Sequence, residues 1–252
     1  MATLSERDAI QVYEWYSDIE RRLLDVVRVL PFVEYESLKG IHSPRLAAVL
    51  LETASLVDTL FRHQMPDTFK RSKGKGGEKR KATILDYRDV LEKDLKLALS
   101  RSLLLKGVPV LLSPFSAWAT ATPEIPWWRA YNGLKHDRLG NSIAVTLAHC
   151  VDALCGLNQL MLKIPQIREL VFRFGWADLA GWNPRVAIRD LQDPKVTYGY
   201  IAYTDFFATF LHPVRYATVE DIWPTAFRNS DRLKAHLGRM DSMQHEQEYE
   251  HE

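Results

Sequence analysis

Ser142 to Leu162 reads SIAVTLAHCVDALCGLNQLML, the most apolar long stretch of the chain. Its length suits a bilayer, but His149, Asp152, Asn158 and Gln159 interrupt it, and lipid-facing helices rarely carry such residues. The spacing therefore predicts a central core helix over 142–164, closed by Pro165. A helix buried on this scale implies other helices packed around it, and so a mainly α fold with the rest of the chain as its shell. Cys150 and Cys155 lie within it. Positions five apart on a helix diverge by about 500°, so the two read as buried free thiols with no mutual disulfide. That usage fits a cytoplasmic protein.

Amphipathic segments surround this core. Ser5 reads as an N-cap with Asp8 three residues on, and Val12, Tyr16, Ile19, Leu23, Val26, Val27 and Leu30 recur at helical spacing until Pro31. Ser43-Pro44 opens a second helix, with Leu46, Val49, Leu50, Leu56, Val57, Leu60 and Phe61 on one face. A third is expected over about Thr83 to Leu99. Leu103 to Leu112 reads as two short strands around Gly107. Beyond Pro165, Leu170–Phe174 and Val196–Ala202 are strand candidates, and Ile222–Leu237 holds a helix broken near Pro224. Asp241–Glu252 is an acidic tail expected to be disordered. The division expected is a helical bundle over 1–165, a C-terminal segment over 166–240 packed on the same core, and the tail.

The chain has 252 residues with 33 Lys+Arg against 32 Asp+Glu, a formal net charge of +1. So even a balance excludes a bulk polycation, and any nucleic-acid contact must come from a local patch. One such patch exists. Within the loop expected over 66–82, Lys70, Arg71, Lys73, Lys75, Lys79, Arg80 and Lys81 stand against the single acid Glu78, and Gly74, Gly76 and Gly77 supply no hydrophobic anchor. It reads as a solvated basic connector or an arm for RNA phosphates, with Lys73, Lys75, Lys79 and Arg80 as candidate contacts. The N-terminus lacks a basic region followed by an apolar core, so no signal peptide is expected, and no membrane association. No dinucleotide or P-loop fingerprint is present, nor any paired metal-ligand spacing, so neither cofactor nor metal is expected. His149 is expected to be a satisfied buried histidine, and His42 and His212 loop residues.

One cluster carries chemistry. A short helix from Pro126 to about Arg138 reads PWWRAYNGLKHDR. Arg129, Asn132 and His136 stand at i, i+3 and i+7, on one face. Tyr131 and Lys135 form the neighbouring ridge. RNA cleavage needs such a set: an imidazole to move the proton of the 2′-hydroxyl and a cation to stabilise the negative charge gathered on phosphorus. The RNA supplies its own nucleophile, so no metal is required. Trp127 and Trp128, about 100° apart on a helix, either both anchor it in the core or leave one facing a cleft, where it would stack a base.

The motif Trp127-Trp128-x-x-Tyr131-Asn132-x-x-Lys135-His136-x-Arg138, preceded by Pro114-Phe115-x-x-Trp118, resembles bacterial proteins with a HEPN-like (higher eukaryotes and prokaryotes nucleotide-binding) helical bundle. The family signature is an arginine, four to six residues, then a histidine, often with a polar residue directly after the arginine. Arg129 and His136 meet that spacing, and Asn132 takes the polar position. Tyr131 stands where the arginine is commonest, which leaves Arg129, Lys135 or Arg138 as the candidate cation. The resemblance covers residues 1–165. It implies a mainly α HEPN-like bundle with a few short β-strands, a homodimer with motif helices facing across a cleft, and a metal-independent endoribonuclease leaving 2′,3′-cyclic phosphate ends. Arg129, Asn132 and His136 would be catalytic, with Tyr131, Lys135 and Arg138 on RNA or a nucleotide. Toxin–antitoxin or anti-phage settings follow, with an antitoxin or defence-system partner. The alternative within the family is a non-catalytic nucleotide-binding or protein-interaction module.

Overall fold

The computed structural model describes residues 3–29, 34–70, 82–107, 110–120, 124–141, 144–178, 183–191 and 200–211. The chain is mainly α with a few short strands. It divides into two compact units, one of residues 1–31, 36–100 and 113–170, the other of 32–35, 101–112 and 171–252. The segment 101–112, which the sequence division kept with the bundle, thus belongs with the later chain. The basic-loop residues Lys73, Lys75, Lys79 and Arg80, the helix expected over 222–237, the tail and His212 lie outside the described residues.

The first unit is the helical bundle. Helix α1 (Glu6–Val27) starts on Ser5, whose hydroxyl accepts from the Asp8 amide at 3.1 Å. It ends at Val27, before the expected stop at Pro31. Helix α2 (Pro44–Gln64) starts on Ser43, as expected, and ends at Gln64. A single turn, α3 (Asp67–Lys70), follows. Helix α4 (Ile84–Leu95) opens with a reciprocal capping box between Thr83 and Asp86. It was expected to reach Leu99 but stops at Leu95, because Lys96 turns left-handed (φ 53°) and the Glu92 carboxylate takes the Leu97 and Ala98 amides. Helix α5 (Pro126–His136) follows, with the single turn α6 (Arg138–Asn141) after it.

The core helix α7 (Leu147–Lys163) begins five residues later than expected. Thr146 is extended and pairs with His42 as an isolated β-bridge, and the Leu147 amide donates to the Ile41 carbonyl at 2.9 Å, so the chain before 147 is committed to another partner. Pro165, expected only as a terminator, starts helix α8 (Pro165–Arg173). Leu170–Phe174 is therefore helical up to Arg173 and not a strand. Ile167, Leu170 and Val171 are buried at three-and-four spacing, a helical period that the aromatic and β-branched content disguised.

Helix α2 packs on α1, α4, α5 and α7 and forms the middle of the bundle. An aromatic cluster joins them: Phe61 of α2, Tyr87 of α4, Phe115, Trp118 and, on α5, Trp127 and Trp128. Phe61 and Trp118 centroids lie 5.5 Å apart, Phe115 and Trp127 5.7 Å edge-on. Gly156 of α7 admits them. A Cβ there would meet Phe115 at 3.1 Å and Trp127 at 3.3 Å.

The second unit contains a five-stranded antiparallel sheet. Its strands are β1 (Ser102–Leu104), β2 (Leu111–Leu112), β3 (Ala177–Asp178), β4 (Tyr200–Tyr203) and β5 (Phe207–Leu211), in the order β2-β1-β5-β4-β3. The hairpin around Gly107 is as expected. Of the Val196–Ala202 candidate, 200–202 lie in β4 and 196–199 fall outside the described residues. Strand β1 lies between β2 and β5, pairing Leu103 with Leu111 on one side and Ala208 on the other, and β5 is the central strand. A short helix, α9 (Pro184–Asp190), is tied to the sheet by a 3.0 Å hydrogen bond from the Tyr200 hydroxyl to Asp190.

Candidate functional site on helix α5

Pro126 starts α5 at the position where its missing N–H costs nothing. Trp127, Trp128, Tyr131 and Leu134 then turn to the core. Trp127 is fully buried and its indole N–H donates to the Pro114 carbonyl at 3.3 Å; Trp128 is also buried. Neither tryptophan faces a cleft, so base stacking by one of them is not available. Tyr131 is likewise buried, which corrects its expected place among the RNA contacts. Its ring packs edge-on to Trp128 at 5.3 Å and carries the Lys135 ammonium 5.5 Å from its centroid, a cation–π contact at the rim of the core.

The opposite face of α5 presents Arg129, Asn132, Lys135 and His136 to solvent. Arg129 is paired with Glu124, and both side chains are largely exposed (77% and 62%), so the pair opens at little cost. Among the described residues, the Asn132 and His136 side chains make no hydrogen bond. The helix was expected to run to Arg138 but ends at His136. Asp137 becomes extended and its carboxylate accepts from the Gly140 amide at 2.9 Å, while the Asn141 amide closes the end of α5 on the Gly133 and Asp137 carbonyls. Arg138 therefore stands, exposed, on the separate turn α6 rather than on the motif helix.

The Arg129 charge reaches a histidine of α7 that sequence spacing marks only as a packing residue. His149 of α7 is half-buried, and its ring nitrogen accepts from the Thr146 amide at 3.3 Å in a capping box. Burial, then the Arg129 charge and finally His42, hold its imidazole below the ordinary histidine range; a hydrogen bond to the Ala144 backbone opposes them. It stays neutral near pH 7 and braces the start of α7. His42 Nδ1 meets the Val145 carbonyl at 3.0 Å, fastening the same segment. Glu124 also escaped the sequence reading: it precedes the helix, so no helical spacing links it to Arg129. Cys150 and Cys155 are both free and buried, and burial pushes the Cys150 thiol well above its usual range.

Among the described residues, no group of three or more His, Cys, Asp or Glu is placed to hold a metal ion, and no helix is long and apolar enough to cross a membrane. No family model, curated protein or solved structure matches the chain.

Proposed function

We propose that the chain is a metal-independent endoribonuclease of HEPN type that works as a homodimer in the cytoplasm, in a toxin or anti-phage defence setting with a cognate partner protein. One observation carries the reading. Arg129, Asn132 and His136 leave the same exposed face of a helix whose other face is locked by Trp127, Trp128, Tyr131 and Leu134. A polar triplet held on so rigid a support suits chemistry that depends on placement.

The chemistry is a transesterification. His136 takes the proton of the 2′-hydroxyl, the 2′ oxygen forms a bond to phosphorus, and the P–O5′ bond breaks. The 5′ oxygen leaves with a proton from the second subunit's imidazolium, giving a 2′,3′-cyclic phosphate and a 5′-hydroxyl end. Arg129 stabilises the added charge on the phosphorane, Asn132 orients it, and Lys135 and Arg138 hold neighbouring phosphates. A convex helix face cannot enclose a phosphate alone, so two α5 faces related by a two-fold axis are needed, and two-fold dimers are the commonest oligomers. RNA cleavage in EDTA tests this. Wild type should cut, and His136→Ala should lose about 10²–10⁴-fold in rate. Light scattering should give twice 29.1 kDa. Full activity in His136→Ala removes the mechanism.

A second reading, a non-catalytic nucleotide-binding or interaction module of the same fold, is favoured by Tyr131. The position where the family most often has its arginine is filled here by a ring turned into the core. Absence of cleavage by a confirmed dimer, with nucleotide binding retained, selects it.

A further inference from the structure

The corner between α7 and α8 carries charge that the α5 face does not use. Lys163 is the last residue of α7 and Arg168 lies one turn into α8; both are half-buried. Arg168 Nε is buried without a hydrogen-bond partner among the described residues, and so is Oε1 of Gln166. The acid acting on Lys163 is Glu92 of α4. Both of its oxygens are already occupied, accepting from the Leu97 and Ala98 amides at 2.9 Å each. Among the described residues, neither cation forms an ion pair.

Lys163 thus faces one committed carboxylate and Arg168 none, an arrangement that costs free energy until a counter-charge arrives. Each group responds by disfavouring its charge. Burial and then Arg168 hold the Lys163 amine down to about 8, burial lowers Arg168, and burial pushes Glu92 up. The missing component is an anion. A guanidinium fork beside an ammonium matches a phosphate group, whose oxygens accept from both at once.

We propose that the Lys163–Arg168 corner of α7 and α8 is a binding site for the phosphate group of a small, mobile ligand. Along α7 it lies about 21 Å from His149, which neighbours Arg129, at 1.5 Å per residue. The site is therefore distinct from the α5 face, and its failure would leave the nuclease reading untouched.

Isothermal titration in a buffer free of oxyanions tests it, with inorganic phosphate and AMP as probes and acetate as the carboxylate control. One saturable site is expected for inorganic phosphate, or for AMP if the ligand must carry more than the bare anion. Lys163→Met and Arg168→Met should each weaken binding at least tenfold. Glu92→Gln keeps one of the two acceptors for the backbone amides and removes the competing charge, so it should tighten binding several-fold. Wild-type protein gives an independent readout: acylation of Lys163 by a reactive ester at pH 8, followed by mass spectrometry, should slow at least threefold with saturating ligand. No saturation by either phosphate probe, unchanged affinity in Lys163→Met, or equal saturation by acetate would overturn the assignment.

Discussion

Buried polar side chains are where single residues matter most in this protein. Asp58 of α2 is almost fully buried and accepts a 2.7 Å hydrogen bond from the Tyr87 hydroxyl of α4, while Arg62 pairs with it one turn along. Burial first, then Asp58, push the Tyr87 phenol well above its usual range. Asp58→Ala leaves that buried hydroxyl without an acceptor, and urea denaturation should show a loss of about 1–3 kcal/mol. Lys163 makes a pH-dependent prediction. Its amine titrates at about 8 in the folded chain, against an ordinary 10.5. The unfolded chain binds that proton more tightly, so the penalty on stability is complete below pH 8 and fades as pH rises toward about 10.5. In phosphate-free buffer, Lys163→Met should therefore be more stable than wild type at pH 7, with an advantage that shrinks steadily from pH 8 to 10. A constant difference across that window would show that the amine is not perturbed by folding.

At the scale of elements, caps and close approaches set where helices begin and how near they come. Ser5 and Ser43 were legible as caps because a cap is a contact between residues two or three apart, and the Thr83–Asp86 box that the structure adds is of the same local kind. The end of α4 was not, since Glu92 reaches forward to two amides beyond a left-handed Lys96. The start of α7 was hidden for a stronger reason: its competitor, the 41–42 segment, is a hundred residues away in sequence. Gly156 is the tightest point of α7. Alanine would add about 1 kcal/mol of helix propensity. Its methyl, however, would sit 3.1–3.3 Å from two fully buried rings with no room to retreat, and overpacking of this kind costs about 1–3 kcal/mol. Crowding wins, so Gly156→Ala should lower the thermal midpoint. A rise would mean that the Phe115 and Trp127 rings shift freely. On α5, Asn132→Ala touches no core and should leave stability within about 0.5 kcal/mol, which separates any loss of activity there from misfolding.

For the whole molecule, the consequential fact is that the chain forms its sheet from segments far apart. Ser102 meets Thr209 through a 2.8 Å hydroxyl contact across 107 residues, and Leu103, Leu105, Ile201, Tyr203 and Ala208 form an apolar cluster in that unit. A charge at Ala208, fully buried on β5, should break it. Hydrogen exchange of Ala208→Asp should then lose protection in 102–104 and 200–211 while amides of α2 and α7 stay protected. Uniform loss would mean that both units open as one. What the sequence by itself determined was local: the mainly α class, the helix-forming segments, their caps, the hairpin around Gly107, the two free cysteines, and the i, i+3, i+7 face of α5. Each depends on hydrogen bonds or periodicity within a few residues. Tertiary structure alone decided that Tyr131 turns inward, that Glu124 holds Arg129, that β1 lies between β2 and β5, and that Lys163 and Arg168 share a corner. Those outcomes depend on which distant surfaces exclude water from a given side chain, and the spacing of residues along a chain does not encode that.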